Sequence, residues 1–150
     1  MLEEILNYQR IDDSLGSAGQ PTAEQFAAIQ DAGFGFVINL ALPTSDGAIA
    51  DEGRIVTTHG MSYTHIPVSF ESPQEEDFHL FSHLMDSCAD RPVFVHCAAN
   101  KRVSAFIYLH RITQGGIPPE QAAKDLHAIW HPNETWARLI ESIRGQWTGD

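Results

Sequence analysis

Apolar residues gather in three short runs along this chain, at 36–40, 63–68 and 93–96, and between the runs they recur every three or four positions. The runs predict buried strands, and the spaced pattern predicts amphipathic helices. The segment 8–17, with Asp12 and Asp13 at its middle, reads as a short strand pair, and Gly19-Gln20-Pro21 as the turn after it. Thr22 with Gln25 three residues on forms a capping box. It opens a helix that puts Phe26, Ala27 and Ile29 on one face and stops at Gly33. After the 36–40 run, 43–47 is a loop and 47–59 a weaker helix ending at Gly60. Ser72-Pro73-Gln74-Glu75 supplies a serine cap, a proline for the first helical position and a glutamate to close the box. Phe78, Phe81, Leu84 and Met85 then mark that helix's buried face. Helices at 103–114, 119–130 and 134–146 follow the last strand. Strands alternating with helices define an α/β chain: a mostly parallel central sheet flanked by helices, with a helical C-terminal part. A length of 150 residues suits a single domain over 1–150.

Composition excludes several function classes. Nine basic residues against twenty acidic ones give a net charge of −11, which repels nucleic acid and acidic membrane surfaces. No run approaches the ~18 apolar residues of a membrane span, and the opening Met1-Leu2-Glu3-Glu4 does not begin a signal peptide. The two cysteines, Cys88 and Cys97, make no disulfide framework. A cytoplasmic protein is the expectation.

The stretch from Val93 to Ser104 carries the candidate chemistry. An apolar strand delivers Cys97 into a short turn, Ala98-Ala99-Asn100-Lys101-Arg102, from which a helix departs. A helix N-terminus leaves amide hydrogens unpaired and carries positive partial charge, so it binds an oxyanion and lowers the pKa of a nearby thiol. Such settings bring a cysteine from ~8.5 to roughly 3.5–7.5. Cys97 is therefore the candidate nucleophile, its sulfur facing a bowl of amide hydrogens. Arg102 is the planar fork that can grip two phosphate oxygens. A cysteine after an apolar strand is also a common small core residue.

These residues resemble the cysteine-dependent protein tyrosine phosphatase superfamily. The resemblance is to the bacterial dual-specificity-like group, which includes the phosphatase-like domain of beta-lactamase-hydrolase-like proteins. The matches are Ser17-Ala18-Gly19-Gln20-Pro21, Val37-Ile38-Asn39-Leu40, His65-Ile66-Pro67-Val68 through Pro73, and Val95-His96-Cys97. The resemblance implies hydrolysis of phosphate monoesters, on a protein or a small molecule, through a cysteinyl-phosphate, with no metal or other cofactor. It implies phosphate binding by the backbone of Ala98, Ala99, Asn100, Lys101 and Arg102. His96 would shape the loop, and Ser104 would stand where a hydroxyl stabilises the thiolate. The family pattern is His-Cys-x5-Arg-Ser/Thr, whereas Val103 occupies the arginine's place here and Arg102 comes one residue early. Asn100 stands where glycine is usual.

Cys-x4-Arg also matches the six-residue loop of rhodanese-like sulfurtransferases, in which Cys97 would carry a persulfide. A non-catalytic phosphate-binding module is the third reading. His96, Ser104 and the upstream matches favour the phosphatase. Its general acid is expected on the loop after the 63–68 strand, where Glu71 is the first candidate and Asp77 the second. The first-turn position of Asp77 is also explained by the helix dipole. His79 and His83 share a helix face without a third partner at metal-ligand spacing, so no metal site is expected. Trp130 and Trp136 can line the pocket mouth, and Cys88 is a filler or a resolving thiol for Cys97.

Overall fold

The computed structural model describes residues 1–88 and 90–148. Five strands form one sheet: β1 (Gln9–Asp12), β2 (Leu15–Ala18), β3 (Phe36–Asn39), β4 (Ser62–His65) and β5 (Val93–His96). Their order is β1-β2-β5-β3-β4; only the β1–β2 hairpin is antiparallel, and the other pairings are parallel. β5 is central and buried along its whole length, which explains its uninterrupted Val93-Phe94-Val95 run. The edge strand β1 alternates half-buried and exposed positions.

Among the described residues the α-helices are α1 (Gln25–Asp31), α2 (Glu52–Thr58), α3 (Glu75–Ser87), α4 (Lys101–Thr113), α5 (Pro119–Ile129) and α6 (Glu134–Thr148). Side chains alternate across a strand. Ile38, Leu40, Val93 and Val95 therefore join the larger apolar cluster with Phe78, Phe81, Phe106 and Trp136. Val37 and Phe94 join a second cluster with Phe26, Ile29 and Val56 on the opposite face. The architecture is the expected one, an α/β sheet flanked by helices. No helix among the described residues is long and apolar enough to cross a membrane.

Several boundaries depart from the sequence expectation. The helix expected over 47–59 is only α2, because the turns continue past Gly47: Ala48 N–H donates to Ser45 O at 3.0 Å, Glu52 N–H to Ile49 O at 3.3 Å, and Asp51 is non-helical with φ −118° and ψ 39°. β4 ends at His65, yet the chain stays extended beyond it: Ile66 N–H donates to Asn39 O at 2.8 Å and Val68 N–H to Leu40 O at 3.0 Å. The intervening Pro67 has no N–H to offer. Ser72 does not cap α3. Glu75 instead turns to α6, accepting from Ser142 Oγ at 2.6 Å and Gln146 Nε2 at 2.5 Å. The reciprocal half of the first capping box does form, Thr22 N–H donating to Gln25 Oε1 at 2.9 Å.

Candidate active site

β5 sends Val93 and Val95 to the face covered by α3, α4 and α6, and Phe94 and His96 to the face covered by α1 and α2. Cys97, next in the alternation, falls on the first of these. Its N–H donates to Ala18 O at 3.3 Å. Asn100 then takes the left-handed conformation, φ 71° and ψ 0°, as the residue before α4. Asparagine visits that region more readily than most residues, so it serves where glycine would. α4 starts at Lys101, two residues earlier than expected, which places Lys101 and Arg102 in its first turn. Ser104 N–H is the first to find a partner along the helix, Asn100 O at 2.8 Å. The amides of Lys101, Arg102 and Val103 have no intrahelical acceptor by construction, so they present partial positive charge beside Cys97.

The sulfur, expected to face a bowl of amide hydrogens, is closed off from solvent. Cys97 is 0% exposed and belongs to the cluster that contains Val95, Val103 and Phe106. Strand alternation is the cause, because it turns the side chain inward beneath α4. A cavity of about 430 Å³ does open between α4, α5 and α6, lined by residues such as Tyr108, Leu126 and Ile140, but no residue of the 97–102 loop lines it.

Arg102 is 6% exposed, and its Nη1 donates to Val68 O at 2.9 Å. The guanidinium thus ties the first turn of α4 to the segment after β4. Lys101 is exposed, its Nζ 5.6 Å from the Trp130 ring centroid and 5.9 Å from that of Phe70. Ser104 Oγ donates to Lys101 O at 3.0 Å and accepts from Trp130 Nε1 at 3.1 Å, so the hydroxyl expected to face the thiolate is engaged by these two groups. Trp136 Nε1 donates to Phe70 O at 2.8 Å, which anchors the residue before Glu71. Glu71 itself is exposed, and among the described residues no hydrogen bond ties it to the 97–102 loop. Asp77 is half-buried in the first turn of α3. Burial, helped by the neighbouring Glu76 charge, pushes its carboxyl up against a hydrogen bond from the backbone at Gln74.

On the opposite face, His96 is wholly buried, with Nε2 2.5 Å from Glu52 Oε2. An ionised carboxylate only accepts, so Nε2 carries the hydrogen. Glu52 Oε1 accepts from Gln20 Nε2 at 2.8 Å. Burial pushes the Glu52 carboxyl up, but hydrogen bonds from His96, Gln20 and Tyr63 outweigh it and hold the group below its usual value. Tyr63 is pushed up to about 12, chiefly by burial. Sequence reasoning missed Glu52, which is 44 residues from His96, and no local pattern signals the pair.

Cys88 closes α3 ahead of β5, whereas Cys97 follows β5. A four-residue strand, about 13 Å long, therefore separates them, which removes Cys88 as a resolving thiol. Burial pushes its thiol pKa up.

Comparison with known proteins agrees with this architecture. A DUF442 protein from Shewanella putrefaciens CN-32, described as a phosphatase, is 35% identical; the match covers 97% of this chain and 96% of that one, with a TM-score of 0.88. The Beta-lactamase hydrolase-like protein of Agrobacterium fabrum is 32% identical over 112 residues, 72% of this chain but only 26% of that protein. This chain thus spans about a quarter of that relative's length. The P. aeruginosa protein TpbA, crystallised with pTyr, shares the fold at 17% identity, with a TM-score of 0.69 and coverage of 93% and 84%. Residues 7–135 match the family described as "DSP-PTPase phosphatase fused to NAD+ Kinase", and the chain belongs to that family of phosphatases.

Proposed function

We propose that this protein hydrolyses phosphate monoesters through a cysteinyl-phosphate formed on Cys97. One observation supports the reading: in a chain of the phosphatase family, Cys97 and then the first turn of α4, which holds Arg102, follow directly on the carboxyl end of the central strand. That end of an α/β sheet is where ligands bind.

In the first step the Cys97 thiolate attacks phosphorus, the bond from phosphorus to the ester oxygen breaks, and an acid protonates the departing oxygen. In the second step water attacks phosphorus and gives up its proton to the same carboxylate. The sulfur–phosphorus bond breaks, inorganic phosphate leaves and the thiolate returns. The backbone N–H groups of residues 98–102 hold the equatorial oxygens. Arg102 has five donors and spends one on Val68 O, so others remain for the phosphoryl group. Glu71 is the proposed acid, and the raised carboxyl of Asp77 keeps it as the rival. Because the sulfur is covered, phosphate reaches it only after the loop or the segment following β4 shifts. The substrate is a phosphorylated protein or small molecule.

Hydrolysis of p-nitrophenyl phosphate tests the reading, with loss of activity in Cys97→Ser expected. Thiocyanate formation from thiosulfate and cyanide, without phosphate release, would favour a sulfurtransferase. Vanadate raising the melting temperature of an inactive protein would favour a phosphate-binding module.

A further inference from the structure

The loop that carries Cys97 is braced from outside by residues the proposed chemistry does not use. Gly19 N–H donates to Leu6 O at 2.7 Å, Gln20 N–H donates to Ala98 O at 3.0 Å, and Gly19 bridges Ala99. Three stretches of backbone, around residues 6–7, 19–20 and 98–100, therefore converge. A Cβ on Gly19 would lie 2.6 Å from Ala98 O and 3.1 Å from Leu6 O, so only glycine fits there. Across this junction two asparagines reach for one another. Asn7 Nδ2 donates to Ala99 O at 3.0 Å, and Asn100 Nδ2 donates to Asn7 O at 2.9 Å and to Ser17 Oγ at 3.1 Å. Both have positive φ, 51° at Asn7 and 71° at Asn100. Asn100 is wholly buried, and its Oδ1 has no partner among the described residues, so the side chain is oriented by its donors alone.

We propose that Asn7 and Asn100 form a clasp that fixes the backbone of the 97–102 loop, which makes them positioning residues for phosphate binding. The inference rests on reading this loop as the phosphate site. Amide donors stabilise a phosphoryl group well only when they are held in place before it arrives. Glycine at position 100 would supply the left-handed turn and no anchor. Asparagine supplies the turn and, through its amide, two bonds to neighbouring segments. Asn7 completes the clasp on the adjacent carbonyl, that of Ala99.

Asn7→Gly and Asn100→Gly keep the backbone conformation and remove only the side-chain bonds. Each is expected to raise the inhibition constants of orthophosphate and orthovanadate against p-nitrophenyl phosphate about tenfold. The double variant is expected to be little worse than either single, because the two bonds close one clasp. Amide hydrogen exchange over 98–102 should accelerate in both single variants while that of α5 stays unchanged; a general loss of stability would speed both. Asn7→Asp keeps the shape without the donor, should behave like Asn7→Gly, and serves if the glycine variant does not fold. Unchanged inhibition constants together with unchanged exchange would overturn the clasp. If the wild-type protein hydrolyses no phosphate ester but the variants still loosen the loop, the clasp stands and the phosphatase reading falls.

Discussion

Cys88 and Cys97 flank the same central strand, and the two ends of that strand are built differently. Both side chains are buried, at 3% and 0% exposure, so burial does not separate them. Cys88 lines a cavity with Leu15, Met85, Arg91, Val93 and Arg111, and desolvation, opposed by Arg91, pushes its thiol up, which disfavours the reactive thiolate. In the loop after Cys97 the buried polar groups are hydrogen-bonded to distant segments, Arg102 to Val68 O and Asn100 to Asn7 O, and on the opposite face of β5 His96 pairs with Glu52. Polar groups are costly to bury unless each finds a partner, so such a concentration marks a built site.

The sharpest break of this comparison is to remove each sulfur in turn. Cys97→Ser should lower kcat on p-nitrophenyl phosphate by about 10⁴-fold or more, whereas Cys88→Ser should stay within about twofold. An equal loss in both would show that the two ends do not differ in kind. Glu71→Gln should slow phosphoserine-type substrates, whose leaving groups are poor, by about 10²-fold or more and leave p-nitrophenyl phosphate nearly untouched. A larger loss in Asp77→Asn would move the acid to α3. Arg102→Lys keeps the charge and loses the fork. It should cost about 10²-fold in kcat, and an undiminished rate would confine Arg102 to its bond with Val68 O.

Stability offers smaller effects. Glu52→Ala strands the buried His96 nitrogen and should destabilise by about 3 kcal/mol in urea titration. Acid should act in two stages. His110 is held below 6.5 chiefly by burial, so as pH falls below that value the unfolded chain takes up a proton that folded His110 resists, and stability declines. Glu52, held below 4.5, adds a second loss as pH falls from that value toward its lower folded pKa. His110→Gln should flatten the first stage, and an unchanged pH profile would assign that loss elsewhere.

Much of the fold is legible because its signals are local. The β3 and β5 runs are continuous because those strands are covered on both faces. The 47–59 expectation was too long because hydrophobic spacing alone does not register that the turns continue past Gly47 to Asp51. Cys97 and Arg102 stand out because an apolar strand meets a helix start between them. Glu52, Asn7 and the Val68 carbonyl could not be read, since each matters only through a partner brought near by the finished topology. Asparagine at position 100 carried a hint of left-handed backbone but none of its tie to Asn7.

The central claim concerns one covalent bond. Rapid acid quench of the protein with p-nitrophenyl phosphate, followed by mass spectrometry of its peptides, should find a single phosphate on the peptide containing Cys97 and none on that containing Cys88. Turnover with no adduct on the Cys97 peptide at any quench time, or an adduct that persists in Cys97→Ser, would contradict the account.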